Sequence, residues 1–373
     1  MSFLPFLLMV ALVLFGAHAV LGVSIAHFFS LSTLSQRLML ALIMTGLSAS
    51  FIVASILAHL YENLLTRVFY FVSGIWLGLL TYLVFSSIII WIILWVAPRI
   101  SAYRIDAPRL AVVFLALSIT LSIFGIWNAF HPRIKEVSVR IPGLPAAWQD
   151  KKIVQLSDVH LGHIYRADFL QGVVAQANEM NPAMVVITGD LFDGMDGSLG
   201  DLVSPLRELR SEHGIFFVTG NHETYLGVEA VRGLLADAGV TVLDDEVADV
   251  DGLALIGISY PERGETKDMS ETLRLLSPGF AGRPNILLFH SPTRIDLFQS
   301  SGINLQLAGH THLGQIFPFN YLTHRIFKGY DYGLFEEADG YSLYTTNGVG
   351  TWGPAMRIGN TPEIVVITLA GDN

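Results

Sequence analysis

The sequence predicts four membrane-spanning helices joined to one α/β domain, and three observations carry that reading. The first 130 residues hold four long apolar stretches without a formal charge. From residue 131 onward, short β-rich apolar runs alternate with amphipathic helical patterns, as in sheets covered by helices. Five of those short runs end in Asp, Asn or His.

Composition sets the frame. The chain of 373 residues is 52% hydrophobic and only 14% charged, a balance rare in a wholly water-soluble protein. Its formal net charge of −10 and lack of a basic block argue against binding a nucleic-acid polymer. The absence of cysteine excludes disulfides and thiolate metal sites.

The apolar stretches cover 3–26, 38–60, 68–96 and 110–130, and none contains Lys, Arg, Asp or Glu. Each is long enough to cross roughly 30 Å of hydrocarbon, the third by tilting. Ala17-His18-Ala19 resembles a signal-peptide cleavage site, but Met1–Phe3 carries no positive charge, so the first stretch reads as a retained helix. Arg37 lies in the first connection and Arg99, Arg104 and Arg109 in the third, against Arg67 in the second. The positive-inside rule then puts the C-terminal domain outside the cytoplasm, although Arg133, Lys135 and Arg140 pull the other way. Spans without ionisable Lys, Arg, Asp or Glu read as an anchor in a lipid bilayer rather than as a transporter or receptor.

The boundaries are therefore 1–130 for the helical anchor, 131–150 for a short juxtamembrane segment and 151–373 for the α/β domain. Residues 137–141 alternate like an edge strand. Buried strands are predicted at 153–156, 184–188, 215–219, 253–258, 286–289 and 305–308, with helices at 166–179, 202–212 and 228–238. The closing runs, 342–345 and 363–369, read as late strands of a second sheet.

The chemistry sits just past the strand ends. The strand at 153–156 leads to Asp158 and His160, that at 184–188 to Gly189, Asp190 and Asp193, and that at 215–219 to Gly220, Asn221, His222 and Glu223. Two more lead to His290 and to Gly309, His310 and His312. Carboxyl ends of strands are where open α/β sheets bind ligands. The donors mix carboxylate, amide oxygen and imidazole without sulfur, which favours Mn²⁺, Fe or Zn²⁺. Their number exceeds the needs of one tetrahedral ion and suits two divalent ions sharing a carboxylate, which would activate a bridging water and clamp a phosphoryl group.

The series Asp158-x-His160, Gly189-Asp190-x-x-Asp193, Gly220-Asn221-His222-Glu223, His290 and Gly309-His310-x-His312 resembles the calcineurin-like metallophosphoesterases, with five blocks in order over about 155 residues. That resemblance implies a four-layer α/β/β/α sandwich of two mixed sheets with a dinuclear centre between them. It implies that Asp158, His160 and His312 bind one ion, that Asn221, His290 and His310 bind the other, and that Asp190 bridges. His222 would stay free to act on the phosphate or leaving oxygen, with Asp193 as its hydrogen-bonding partner. Glu223 is read as orienting a ligand or pairing with a base.

Residues 309–315, Tyr332–Phe335, Thr346–Gly350 and the ending 358–369 look like a bacterial branch containing membrane-associated phosphodiesterases and enzymes that cleave UDP-diacylglucosamine. Leu313 departs from it, since glycine is expected there. The resemblance implies a bacterial plasma-membrane enzyme that hydrolyses a phosphodiester, pyrophosphate or phosphomonoester, with a lipid-linked substrate favoured over a soluble nucleotide. The run 316–322 is either a core-packed loop or an apolar lip for acyl chains, with Arg325 and Lys328 beyond it for phosphate headgroups. Asp244, Asp245 and Glu246 read as a solvated turn.

Overall fold

The computed structural model describes residues 3–100, 105–194, 199–262, 264, 266–337 and 340–371. It divides into a helical unit, Met1–Trp127 with Gly353–Met356, and an α/β unit, Asn128–Trp352 with Arg357–Asn373.

The four apolar stretches form α1 (Phe3–Phe28), α2 (Leu34–Leu60), α3 (Leu64–Ile100) and α4 (Ala107–Ala129). All four are long and apolar enough to cross a membrane. α2 starts before its apolar run because Thr33 and Gln36 close a capping box around its first turn. α3 has 37 residues, roughly 55 Å of helix, and so exceeds the hydrocarbon thickness. Polar pairs tie the bundle where lipid offers no partner. Trp76 Nε1 donates to His18 Nε2 at 2.9 Å, Trp91 Nε1 donates to Ser24 Oγ at 3.0 Å, and Ser86 Oγ meets Ser118 Oγ at 3.1 Å.

The α/β unit begins with β1 (Arg133–Arg140), β2 (Lys152–Leu156), α5 (Ala167–Glu179), β3 (Met184–Ile187), α6 (Leu199–Val203) and β4 (Ile215–Phe217). It continues through α7 (Glu223–Leu226), α8 (Val228–Asp237), β5 (Thr241–Val242), β6 (Glu246–Val250), β7 (Leu253–Gly257) and α9 (Met269–Phe280). It closes with β8 (Asn285–Leu288), α10 (Ile295–Ser300), β9 (Leu305–Ala308), α11 (Asn320–Ile326), β10 (Gly333–Glu336), β11 (Ser342–Thr345) and β12 (Glu363–Ala370).

The strands make two mixed six-stranded sheets, ordered β1-β12-β2-β3-β4-β5 and β10-β11-β9-β8-β7-β6. Ile153, Val186, Val218, Leu255, Ile286, Leu307 and Val365 fill the space between the sheets. On the outer face of the first sheet, Leu170 and Val174 of α5 and Leu235 of α8 cover Val154 and Ile187. On that of the second, Leu273 and Phe280 of α9 and Phe298 of α10 cover Ile256 and Leu287. This is the four-layer α/β/β/α sandwich. Central strands buried on both faces read as continuous apolar runs, which is why the sequence reveals them.

Three expectations change. The edge strand expected at 137–141 starts earlier, as β1 runs from Arg133 to Arg140 and pairs in parallel with β12 along the edge of the first sheet. β12 belongs to that first sheet, between β1 and β2, because its antiparallel register with β2 places Val365 opposite Gln155. The expected helix at 202–212 is a short α6 followed by a 3-10 turn, Ser204–Glu208, where Pro205 has no amide hydrogen to continue an α-helix.

Candidate metal centre

The strand ends come together because their backbones nearly touch. A Cβ on Gly189 would lie 2.6 Å from Gly220 N and 2.7 Å from His290 Nδ1. A Cβ on Gly220 would fall on the Asp190 carboxylate. Only glycine lets β3 and β4 deliver Asp190 and Asn221 side by side. The two sheets are also pinned to each other, as Gln155 Nε2 of β2 donates to Ala308 O of β9 at 3.0 Å.

Among the described residues three donor groups result, each with its atoms within 4.8 Å of one another. One is Asp158, His160 and His312, another is Asp190, His290 and His310, and a third is His160, Asp193 and His222. The first brings together three residues expected to share an ion, and the second joins His290 and His310 with Asp190. His160 Nε2 lies 3.0 Å from His312 Nε2, and His310 Nδ1 lies 3.1 Å from His290 Nε2. Two nitrogens at ~2.1 Å from one ion and at right angles to it are about 3.0 Å apart, so both pairs fit a shared cation. Asp190 Oδ2 is 3.1 Å from His290 Nε2 and 3.9 Å from His160 Nε2, between the groups. The Asn221 Oδ1 is buried and has no hydrogen-bond partner, as an oxygen ligand awaiting a cation would be.

The backbone is strained at the same places. Asp158, His160, Asp190, His310 and His312 all have φ between 49° and 74°, a region L-residues seldom enter. Such strain collects at functional sites, where surrounding structure holds it. Leu313, which replaces the expected glycine, shares it at φ 48°.

Charge and burial oppose each other at Asp190 and His290. Burial works against ionising Asp190, but His290, then His222 and His160, overrides it and holds the carboxyl well below its usual range. Burial likewise works against protonating His290, yet Asp190 beside it raises that imidazole to about 10. Burial, then the charge of His290, depresses His310 to about 3. Burial pushes Glu223 up to about 7, and the Asp190 charge adds to it.

Eight of the nine residues singled out from sequence belong to these groups, and the ninth, Asn221, precedes His222 with its Oδ1 buried; Asp193 differs in detail. Its backbone carbonyl, not its carboxylate, takes the hydrogen bond from His222 Nδ1 at 3.0 Å. The carboxylate turns to His160 Nδ1 at 3.5 Å. Burial, then the neighbouring His160, lowers His222 rather than favouring its charged form.

Sequence reasoning left the role of Glu223 open and missed Arg357. Glu223, wholly buried, accepts N–H bonds from Asp190, Phe192 and Gly220 at 3.0, 3.1 and 2.7 Å, and so splices the β3 and β4 loops. Its adjacency to His222 was the available signal. Arg357, also fully buried, donates to His312 O at 2.9 Å, to His312 Nδ1 at 3.0 Å and to Asn347 O at 2.7 Å. Nothing local in its sequence marks it. The acidic turn is also not freely solvated, since Asp244 pairs with Arg232 and Asp245 with Lys267.

Residues 151–314 match the family described as calcineurin-like phosphoesterase. A Helicobacter pylori protein named uncharacterized metallophosphoesterase is 33% identical over 268 residues, covering 70% of this chain and 71% of that one. This chain belongs to the calcineurin-like phosphoesterase family. A Campylobacter jejuni metallophosphoesterase is 34% identical over 276 residues, with 70% and 71% coverage. A Danio rerio protein named transmembrane protein with metallophosphoesterase domain is 33% identical over 280 residues, 70% of this chain and 63% of that one. As a family member the chain is a metal-dependent phosphoester hydrolase, in a family that uses two metal ions. Its four long apolar helices make it a membrane protein.

Proposed function

We propose that the chain hydrolyses a phosphodiester, pyrophosphate or phosphomonoester bond in a lipid-linked substrate, at a centre built from its five strand ends. The observation that carries this reading is the pair of donor groups, Asp158 with His160 and His312, and His290 with His310, with Asp190 between them. Asp158, His160 and His312 would hold one divalent ion. Asn221, His290 and His310 would hold the other, with Asp190 shared and Mn²⁺ the favoured metal over Fe or Zn²⁺. Bound there, the ions supply Lewis acidity toward water and the phosphoryl oxygens.

The chain's own residues do the rest. The Asp193 carbonyl accepts from Nδ1–H of His222, which fixes the tautomer and leaves Nε2 open toward Asp190 Oδ2, 4.0 Å away. His222 is thereby placed to exchange a proton with the reacting oxygens. Asp193 adds its carboxylate beside His160. Glu223 and Arg357 hold the loops that present these groups.

A lipid-linked substrate is supported by the lip after His312. Phe317, Phe319, Tyr321 and Leu322 are 45%, 43%, 68% and 55% exposed, so this run is not a core-packed loop. Arg325 and Lys328 come next in sequence. An exposed apolar patch flanked by cations suits acyl chains and phosphate headgroups.

The test is hydrolysis of bis(p-nitrophenyl) phosphate with added Mn²⁺. Asp190→Ala and His222→Ala should each lower kcat by at least ~100-fold. Unchanged activity in both would sink the enzymatic reading.

A further inference from the structure

A second pocket, apart from the donor groups, shares a wall with their last turn. It encloses about 320 Å³ and is lined by Leu313, the residue after His312, together with Arg133, Lys135, Asn347, Thr361 and Glu363. Arg133 and Lys135 stand on the edge strand β1, two residues apart and therefore on one face of it. Arg133 lies four residues past Ala129, the end of the last long apolar helix.

The interior is polar and incompletely matched. Asn347 is 2% exposed, and its Oδ1 has no hydrogen-bond partner, while its Nδ2 is spent on Thr361 O at 2.9 Å. An acceptor buried without a donor is costly and is a place where a ligand hydroxyl is missed. Glu363 beneath it is held by the hydroxyls of Tyr332, Tyr344 and Thr346 at 2.9, 3.1 and 2.9 Å. Gly359, on the rim, lies against the apolar lip so closely that a Cβ there would be 2.9 Å from Phe317 Cβ. Two cations, an unmatched acceptor and an adjoining apolar surface thus meet beside the metal-ligand turn.

We infer that this pocket is a headgroup subsite for an anionic phospholipid whose headgroup carries free hydroxyls. The phosphate pairs with Arg133 and Lys135, a hydroxyl donates toward Asn347, and the acyl chains run along the lip. This rests on the lipid-linked reading above and names its substrate class. The strained Leu313 backbone then shapes the wall between the headgroup and the metal centre, which gives the departure from glycine a consequence for specificity.

The experiment titrates full-length protein in detergent with dihexanoylphosphatidylglycerol by calorimetry, in EDTA so that metal-held phosphate contributes nothing. Saturable binding is expected for the wild type. It should weaken at least tenfold in Arg133→Ala/Lys135→Ala and in Thr361→Trp, which fills the pocket but keeps both cations. The charge-preserving Arg133→Lys/Lys135→Arg should stay within threefold, with thermal unfolding confirming that each variant is folded. Free glycerol 3-phosphate should bind at least tenfold more weakly than the lipid, and equal affinity would assign the site to a soluble phosphate. Equal binding by wild type and the double-alanine variant, or loss in that variant without loss in Thr361→Trp, overturns the subsite in favour of diffuse surface charge. Aryl diester hydrolysis reports on the enzymatic reading separately. Activity without lipid binding removes the subsite alone, and no activity in the wild type removes the broader reading.

Discussion

Arg357 shows how much of this centre depends on residues that never meet substrate. Its guanidinium supplies donors to the carbonyls of His312, Asn347 and Gly350 and to the His312 ring, all in a fully buried place. Arg357→Met would leave those acceptors buried and unpaired at about 1–3 kcal/mol each. The expected loss is at least ~3 kcal/mol, read from thermal or denaturant unfolding, together with lower metal affinity through a loosened His312. Stability within ~1 kcal/mol of wild type would contradict the role given to this side chain. Motif histidines and aspartates were visible in the sequence because a strand end followed by a ligand type is a local pattern. Arg357 was not, because its partners lie up to 45 residues away and only the fold assembles them. The same holds for Asp193, whose backbone rather than carboxylate serves His222. A residue's type shows in sequence, but which of its atoms will be used does not.

At the level of elements, the strand ends work as one device. β2, β3 and β4 are neighbours in one sheet and β8 and β9 in the other, so one side-by-side register lines up five short loops. Glycine at 189 and 220 lets those loops approach. Gly220→Ala should push the Asp190 carboxylate aside, since the added Cβ occupies its place. A displacement near 1 Å of a group this central is worth about 100-fold in rate. The overpacking should cost only about 1–3 kcal/mol of stability. Aryl diester kinetics with a melting curve would separate these effects, and full activity would show that the close approach is dispensable. Most elements were legible because buried strands read as apolar runs and amphipathic helices as stripes. The sheet that β12 joins was not, since an apolar run does not state its partner. Nor was the pairing of β1, which reads as a lone alternating segment until β12 lies beside it.

For the whole molecule, we propose that the first third anchors and the remainder catalyses. We propose that the α/β unit faces away from the cytoplasm, on the balance of Arg37, Arg99, Arg104 and Arg109 against Arg67. Protease added outside sealed right-side-out vesicles should then digest this unit, and full protection would reverse the orientation. Side of the membrane decides which lipid headgroups can reach the centre. What the centre does rests on a prior claim, that its donors hold two ions together.

That claim is tested most directly by adding Mn²⁺ back to EDTA-stripped full-length protein while tracking aryl phosphodiester hydrolysis and bound metal in the same samples. Stripping should abolish activity. Activity should return in step with metal and level off near two equivalents, with Asp190→Ala unable to retain both. Activity that survives complete stripping, or that is fully restored by one equivalent, would contradict a two-metal centre at these strand ends.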